Sequence, residues 1–450
     1  MSLRDEARSI WQAGVDAVRA EPLVKRVVRI EGDSLTIGDH RWSREQFDRL
    51  IVVGAGKAAT AMAAGLTAAV GDWLPISGWI NVPAGTVPPE GSIGGIHVHA
   101  ARPAGVNEPT AAGVEGTAQI LKIAGSCQRR DLCIALISGG GSALLPAPID
   151  GITLADKLAV TRLLSGAGAD ITELNTVRKH LSRIKGGGLL RACTAGQLLT
   201  LVLSDVLGDP LDLIASGPTV PDPSTSADAL RLLNRYDPER SLPDRVYQAL
   251  QREPVQPPQH VDAGSSTVLV IGNNAVAVDQ AATRAAELGY TCHSESAKAC
   301  EGAAEELGRQ LAAQSLNALR SADAPPTCWI SGGEPTVQLA PADRRGKGGR
   351  NQQLVLAAYQ YLLAENLSGQ EWNRIAMLSG GTDGEDGPTD AAGAVLDATV
   401  HGRAIAQKLD LQAFLAANDA YTFFGRCDGL IKTGPTGTNV CDVRVLIVGQ

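Results

Sequence analysis

The sequence predicts an α/β fold organised around a doubly wound parallel sheet. Three observations carry that expectation: short apolar runs of strand length recur, several end in glycine clusters, and segments of about 10 to 15 residues with helical periodicity follow them. Residues 50–53 (LIVV) read as a strand buried on both faces, with Gly54-Ala55-Gly56 opening an alanine-rich helix from Lys57. Residues 132–137 (LCIALI) form the next such strand, which ends in Ser138-Gly139-Gly140-Gly141-Ser142 and leads into helical periodicity over 154–164. An amphipathic helix is expected over 171–184, with Leu174, Val177, Leu181 and Ile184 as its buried stripe and Gly186-Gly187-Gly188 as its stop. Residues 198–204 are again a buried strand, closing on Asp205. A second series starts at 268–272. It continues through 328–330, followed by Ser331-Gly332-Gly333-Glu334, and 377–378, followed by Ser379-Gly380-Gly381-Thr382; 442–448 reads as a final central strand. The strand-then-SGG pattern at 138, 331 and 379 has spacings of 193 and 48 residues, which excludes a solenoid. Each instance instead places a flexible turn at the carboxyl end of a strand, where open α/β sheets bind ligands.

At 450 residues the chain is long enough for about two to four domains. Residues 252–266 (REPVQPPQHVDAGSS) hold three prolines and almost no apolar side chain, so 253–266 is expected to link a domain over 1–252 to one over 267–450. With 44% hydrophobic and 20% charged residues the composition is that of a folded globular protein. Forty Lys+Arg against 48 Asp+Glu give a net charge of −8, which argues against nucleic acid or an anionic membrane as the main partner. No apolar run approaches the ~18 residues of a spanning helix, and the charged first residues lack an export signal's apolar stretch. The eight cysteines show no C-x-x-C and no histidine at finger spacing; a cytoplasmic chain with reduced thiols and no structural zinc is expected.

The glycine turns carry the chemistry. Gly54-Ala55-Gly56-Lys57-Ala58-Ala59 fits G-x-G-x-x-G/A between strand and helix, where glycines admit a phosphate to the backbone. A dinucleotide site would want an acid at the end of the following strand, and 76–82 ends in Asn81-Val82 without one. A Walker A loop fails too, with Ile51 at its first glycine position and Ala58 after Lys57. What remains is a lysine on a glycine turn, suited to neutralising a phosphoryl group, or simply a tight strand-helix turn. Ser138, Gly139, Gly140, Gly141 and Ser142 form an anion nest or a structural turn. Asn175, Arg178 and Lys179 share one helical turn, either as a solvated basic face or as an anion grip. Asp205, at a strand's carboxyl end, can accept a hydroxyl proton, hold magnesium or cap a helix. Arg350, in GKGGRN before a helix, can grip two oxygens at once. The segment 383–390 holds four carboxylates without the EF-hand order; it fits magnesium, a substrate hydroxyl or an acidic turn with helix caps. No G-x-S-x-G elbow and no metal-type histidine pair occur.

These motifs in order, GAGKAA, ISGGGSALL, LNTVRKHLSRIKGGGL, LSDVLGD, IASGPTVPDPST, ISGGEPTV, GKGGRNQ, SGGTDGEDGPTDAAGA and TGPTGTNV, resemble the ATP-dependent glycerate 2-kinases with a C-terminal MOFRL domain, a family whose members were once labelled hydroxypyruvate reductases. The resemblance implies a Rossmann-like N-terminal domain, a smaller mixed α/β C-terminal domain, and an active site in a cleft between them. It also implies Lys57 and Arg350 as key cations, with Asn175, Arg178, Lys179, Asp205 and Glu334 lining the same cleft. After TGPTGTNV this chain has Cys441-Asp442 where the family pattern has Asn-Asp.

The resulting expectation is a kinase moving the γ-phosphoryl group of ATP to the 2-hydroxyl of D-glycerate. Lys57, Arg350 and Asp205 would be catalytic. Ser138 to Ser142, Asn175, Arg178, Lys179 and Glu334 would bind substrate. Gly54, Gly56, Gly217, Thr219, Asn351 and Asp383 would face the nucleotide, and Asp205 and Asp386 would hold Mg2+. The sequence leaves the oligomeric state open, a homodimer included. An NAD(P)H-dependent hydroxypyruvate reductase and a non-catalytic nucleotide or sugar-acid binder are the alternatives.

Overall fold

Sixteen strands occur among the described residues. They are β1 Val28–Glu31, β2 Ser34–Ile37, β3 His40–Ser43, β4 Arg49–Ala55, β5 Ile76–Pro83, β6 Ser92–Ile93, β7 Ile96–Arg102, β8 Asp131–Ser138, β9 Gln197–Leu203, β10 Ser266–Gly272, β11 Thr291–Ser296, β12 Thr327–Gly333, β13 Ile375–Gly381, β14 Gly393–Leu396, β15 Leu430–Ile431 and β16 Asp442–Val448. The computed structural model describes residues 1–106, 108–252, 266–321 and 325–450, so nearly all of the proline-rich segment expected as a linker lies outside the described residues. The chain divides into two units, one over Ala20–Ile271 and one joining Met1–Arg19 to Gly272–Gln450.

In the first unit seven strands take the order β10-β9-β8-β4-β5-β7-β6, beside a small antiparallel sheet β1-β2-β3. β4 pairs in parallel with β5 and β8, β5 with β7, and β8 with β9, while the short β6 runs antiparallel along β7. All eight residues of β8 are buried, as an apolar run with no alternation requires of a strand covered on both faces. On one face Ile51, Val53, Ala135 and Ile137 pack with Ile120 and Ala124 of the helix Ala111–Gly125. A second cluster, with Val160, Leu164, Val177, Leu233 and Val246, is drawn mainly from helices and contains no strand residue. The chain grows outward from β4 to β5 and β7, then returns to add β8 and β9 on the other side of β4. The strand order therefore reverses between β4 and β8, and the crevice at their carboxyl ends is the switch point of a doubly wound sheet.

In the second unit β11-β12-β16-β13-β14-β15 form a mixed sheet, parallel only between β11 and β12. β16, flanked by β12 and β13, has all seven residues buried, which is the central strand expected over 442–448.

Two assignments differ from the sequence reading. β10 was expected to open the second series, but it lies beside β9 in the first sheet, where Val268 packs on the same core as Leu198 and Val202. The first helix, Leu3–Ala17, belongs to the second unit rather than to a domain over 1–252. Its stripe Ala7, Ile10, Trp11 and Val15 is buried, and Trp11 Nε1 donates to the Gly380 carbonyl at 3.2 Å. Gly14 lets this helix meet the helix Asn274–Glu287: a Cβ there would lie 2.7 Å from the Ala277 carbonyl oxygen. Apolar periodicity marks a face as buried without naming what buries it. Among the described residues no helix is long and apolar enough to cross a membrane.

Candidate active site

The switch-point crevice is built by two turns that lock onto each other. Lys57 N–H donates to the Gly139 carbonyl at 2.9 Å, and Ala58 N–H donates to Ser138 Oγ at 3.0 Å. Gly56, at φ +149°, passes so close to β8 that a Cβ would sit 1.9 Å from Ser138 Oγ, so glycine is required there. Lys57 and Arg102 flank Gly140: the position of its missing Cβ is 3.6 Å from Lys57 Cγ and 3.0 Å from Arg102 Nη2. Ser138 is thus the buried clamp of the Lys57 turn, not a group presented to ligand. Gly54 also differs from its expected nucleotide role, for it lies inside β4, paired with Ile80 and Leu136 in register.

Ser142 is the centre of a polar network. Arg178 Nη2 and Lys185 Nζ donate to its Oγ at 2.7 and 2.8 Å, and Lys185 also donates to its carbonyl at 2.9 Å. Two cationic donors fill the hydroxyl's lone pairs, so its proton points to Ser216 Oγ, 3.0 Å away, and Ser216 in turn donates to Asn175 Oδ1 at 3.0 Å. Arg178 Nη1 closes the ring on Asn175 Oδ1 at 3.3 Å. Ser216 is aimed by an unusual backbone: Ala215, Ser216 and Gly217 have φ of 50°, 63° and 60°. Non-glycine residues there cost of order 1–3 kcal/mol each. The turn is held by Gly186 N–H to the Ser216 carbonyl at 2.9 Å and Gly187 N–H to the Gly217 carbonyl at 2.7 Å.

The electrostatics are one-sided. Among the described residues neither Arg178 nor Lys185 forms an ion pair with a carboxylate. Burial drives the Lys185 ammonium well below its ordinary range, with the Arg178 and Lys157 charges acting in the same direction. Lys157, buried beneath with Nζ donating to the Leu181 carbonyl at 2.8 Å, is pushed by burial to about 7. Burial also lowers Arg178. Buried cations without a carboxylate partner among the described residues are costly on their own, and an adjacent anion would offset that cost.

Lys179 is corrected by contrast. It is buried and lies 3.2 Å from Asp212 and 3.4 Å from Asp222, so its charge is already compensated. Gly217 and the buried Thr219 stay on the Ser216 loop, and Asp205 follows β9, the strand next to β8. Lys185, Ser216, Arg102 and Lys157 were missed. The signal for Lys185 was present as the cation directly before Gly186-Gly187-Gly188; it was obscured because the helix expected over 171–184 ends at His180.

In the second unit Arg350 is the first residue of the helix Arg350–Ala364. Its Nε and Nη2 grip Asp442 at 2.6 and 3.1 Å, and Nη1 reaches Glu334 at 2.8 Å. Glu334 is therefore the partner of a cation. Asn351 and Asp386 are buried and hold each other. Asp386 accepts from Asn351 N–H and Nδ2 at 3.1 and 3.2 Å and from Gln352 N–H at 2.9 Å, while Ser379 Oγ donates to Asn351 Oδ1 at 2.6 Å. Asp386 thus caps the helix, the bland alternative for the acidic segment, and Asn351 presents no open amide to a nucleotide. Asp383 accepts from Glu385 N–H at 3.1 Å within its own turn.

Residues 6–251 match the family described as Domain of unknown function (DUF4147), and residues 327–442 match the MOFRL family. The chain is 37% identical to the glycerate kinase of Rattus norvegicus, over 99% of this chain and 93% of that one. It superposes on the crystal structure of a glycerate kinase from Thermotoga maritima with a TM-score of 0.83 at 33% identity, covering 99% of each chain. It belongs to the glycerate kinase family. Within that family, an Agrobacterium vitis protein 40% identical over 89% of this chain carries the name hydroxypyruvate reductase, given as provisional.

Proposed function

We propose that this chain is an ATP-dependent glycerate 2-kinase. The observation that carries the reading is the convergence of Arg178 and the fully buried Lys185 on Ser142, with no carboxylate among the described residues to balance them. A small carboxylate is the ligand that supplies the missing charge, and Arg178, half-buried with a planar fork, matches it bidentately. Lys57, whose N–H is hydrogen-bonded to the Gly139 carbonyl of the same glycine turn as Ser142, serves the phosphoryl group. Phosphoryl transfer needs positioning and charge neutralisation more than a nucleophile, which suits a site of glycine turns and cations. The γ-phosphorus leaves the ADP oxygen, bonds to the glycerate C2 oxygen, and the hydroxyl proton passes to Asp205 or to water.

Magnesium fits this donor set at one of the two expected positions. Asp386 does not suit it, since both carboxylate oxygens receive helix N–H groups in a buried cap. Asp205, a partly exposed carboxylate after β9, is the residue we assign to it. Bound there, the ion supplies neutralisation of phosphate charge. A nicotinamide dinucleotide finds no ribose-binding acid at the end of β5. Asn81 stands there, buried, with its amide donating to the Leu144 carbonyl at 2.8 Å.

The test is ADP release from ATP, magnesium and D-glycerate, with phosphorus NMR of the product. A folded sample that makes no ADP refutes the kinase, and 3-phosphoglycerate as product refutes the position.

A further inference from the structure

Beneath the sheet, outside the site just described, three cysteines meet. The Sγ atoms of Cys127, Cys133 and Cys193 all lie within 4.8 Å of one another, and all three residues are buried. They come from separate elements: Cys127 follows the helix Ala111–Gly125, Cys133 is in β8, and Cys193 caps the short helix Gly188–Ala192. The backbone fixes their meeting. Thr194 N–H donates to the Ala124 carbonyl at 3.1 Å and Thr194 Oγ to the Cys127 carbonyl at 2.6 Å, tying the two helix ends together over β8. Sulfur bonded at about 2.3 Å to one centre lies no more than about 4 Å from its neighbours, so closure needs roughly an ångström of side-chain movement.

The surroundings decide which centre fits. Among the described residues no imidazole or carboxylate joins the three thiols within that distance. The nearby carboxylate Asp131 is already held by Arg49 at 2.8 Å and by Gln128 N–H at 2.6 Å. A four-coordinate zinc ion would lack its last ligand. Three thiolates on a monovalent or divalent ion would leave net negative charge in an apolar core lined by Ile51, Ile120 and Leu198, at high cost. Three thiolates on a trivalent centre are neutral.

We propose that Cys127, Cys133 and Cys193 form a binding site for a trivalent thiophilic centre, arsenic(III) supplied as arsenous acid. Three As–O bonds break and three As–S bonds form. The three thiol protons leave with the hydroxyls as three waters, and no oxidation state changes. Uptake is slow, because the thiols are reached only when the helix ends open locally. Once formed, the adduct staples both helix ends to β8.

The experiment incubates the full-length protein overnight with sodium arsenite and reads intact mass, denatured thiol count and thermal midpoint. One arsenic less three hydrogens should be gained, three of the eight thiols should be lost, and the midpoint should rise. Cys193→Ser and Cys127→Ala, each checked for native circular dichroism, should lose the adduct. Cys300→Ser, at an exposed cysteine elsewhere, should keep it. No adduct in the parent protein, or an adduct that survives either core substitution, overturns the proposal. Uptake of cadmium or copper(I) without arsenite uptake overturns the trivalent assignment.

Discussion

Arg350 and Asp442 form a bidentate pair, Nε to Oδ2 at 2.6 Å and Nη2 to Oδ1 at 3.1 Å, in which the carboxylate is 1% exposed and the guanidinium one-third exposed. Burial opposes the Arg350 charge, and Asp442 more than offsets it, holding the guanidinium above its ordinary range. The cation that the sequence offers for phosphoryl transfer is therefore fixed in place at the head of its helix. Asp442→Asn is expected to lower unfolding free energy by about 2 kcal/mol, below the usual cost of breaking a buried pair because Arg350 reaches solvent. Chemical denaturation checks this, and an unchanged midpoint would show that the pair contributes nothing.

Lys185 separates stability from activity. Lys185→Met removes a buried ammonium without a carboxylate partner and should raise the thermal midpoint of the ligand-free protein, by about 1 kcal/mol in free energy. The same change should raise KM for D-glycerate by about 10- to 100-fold, the worth of one charged hydrogen bond. If KM is unmoved, Lys185 does not face substrate.

Lys57→Ala should lower kcat by at least ~100-fold while the protein stays folded, if its charge acts on the transferring phosphoryl group. A near-normal rate in steady-state kinetics removes it from the chemistry.

Lys157 gives stability a pH dependence. Its folded value of about 7 lies below its ordinary 10.5. Between those values the unfolded chain binds one more proton, so unfolding free energy should climb with pH, by at most ~1.4 kcal/mol per unit, and fall as pH drops through 7. Lys157→Met should flatten that slope. Denaturation at pH 7 and pH 9.5 compares the two proteins, and equal slopes would exclude Lys157 as the source.

Cys441 sits at φ 68°, a region that suits asparagine or glycine. Restoring the asparagine of the family pattern, Cys441→Asn, should stabilise by ~1 kcal/mol, or about 2 °C in Tm. A lower Tm for both this variant and Cys441→Gly would show that the cysteine side chain matters more than its backbone.

The sheet and its glycine turns were legible because strand burial and turn chemistry are local. Lys57 and Ser142 follow from that, since each stands at or next to a turn after a strand, and Arg178 follows from helical spacing in Ile171–His180. Lys185 was hidden by a helix that stops four residues short of the end of its apolar stripe: Ile184 is buried without being helical. The ion pairs of Lys179 and Arg350 were illegible because their partners, Asp212, Asp222 and Asp442, come from distant parts of the chain. The same holds for the three cysteines, 60 residues apart between 133 and 193. Pattern gives the face of an element, and only tertiary contacts give its partner.

The helix Leu3–Ala17 packs with strands β13 and β16, which begin at Ile375 and Asp442. During synthesis this helix waits, with Trp11 and Ile10 uncovered, until Asp442–Val448 has been made. The intervening unit, Ala20–Ile271, has its own sheet complete well before then. Completion of the second unit therefore waits for β16, and a chain halted before Asp442 would keep Ile10 and Trp11 without the strands that cover them.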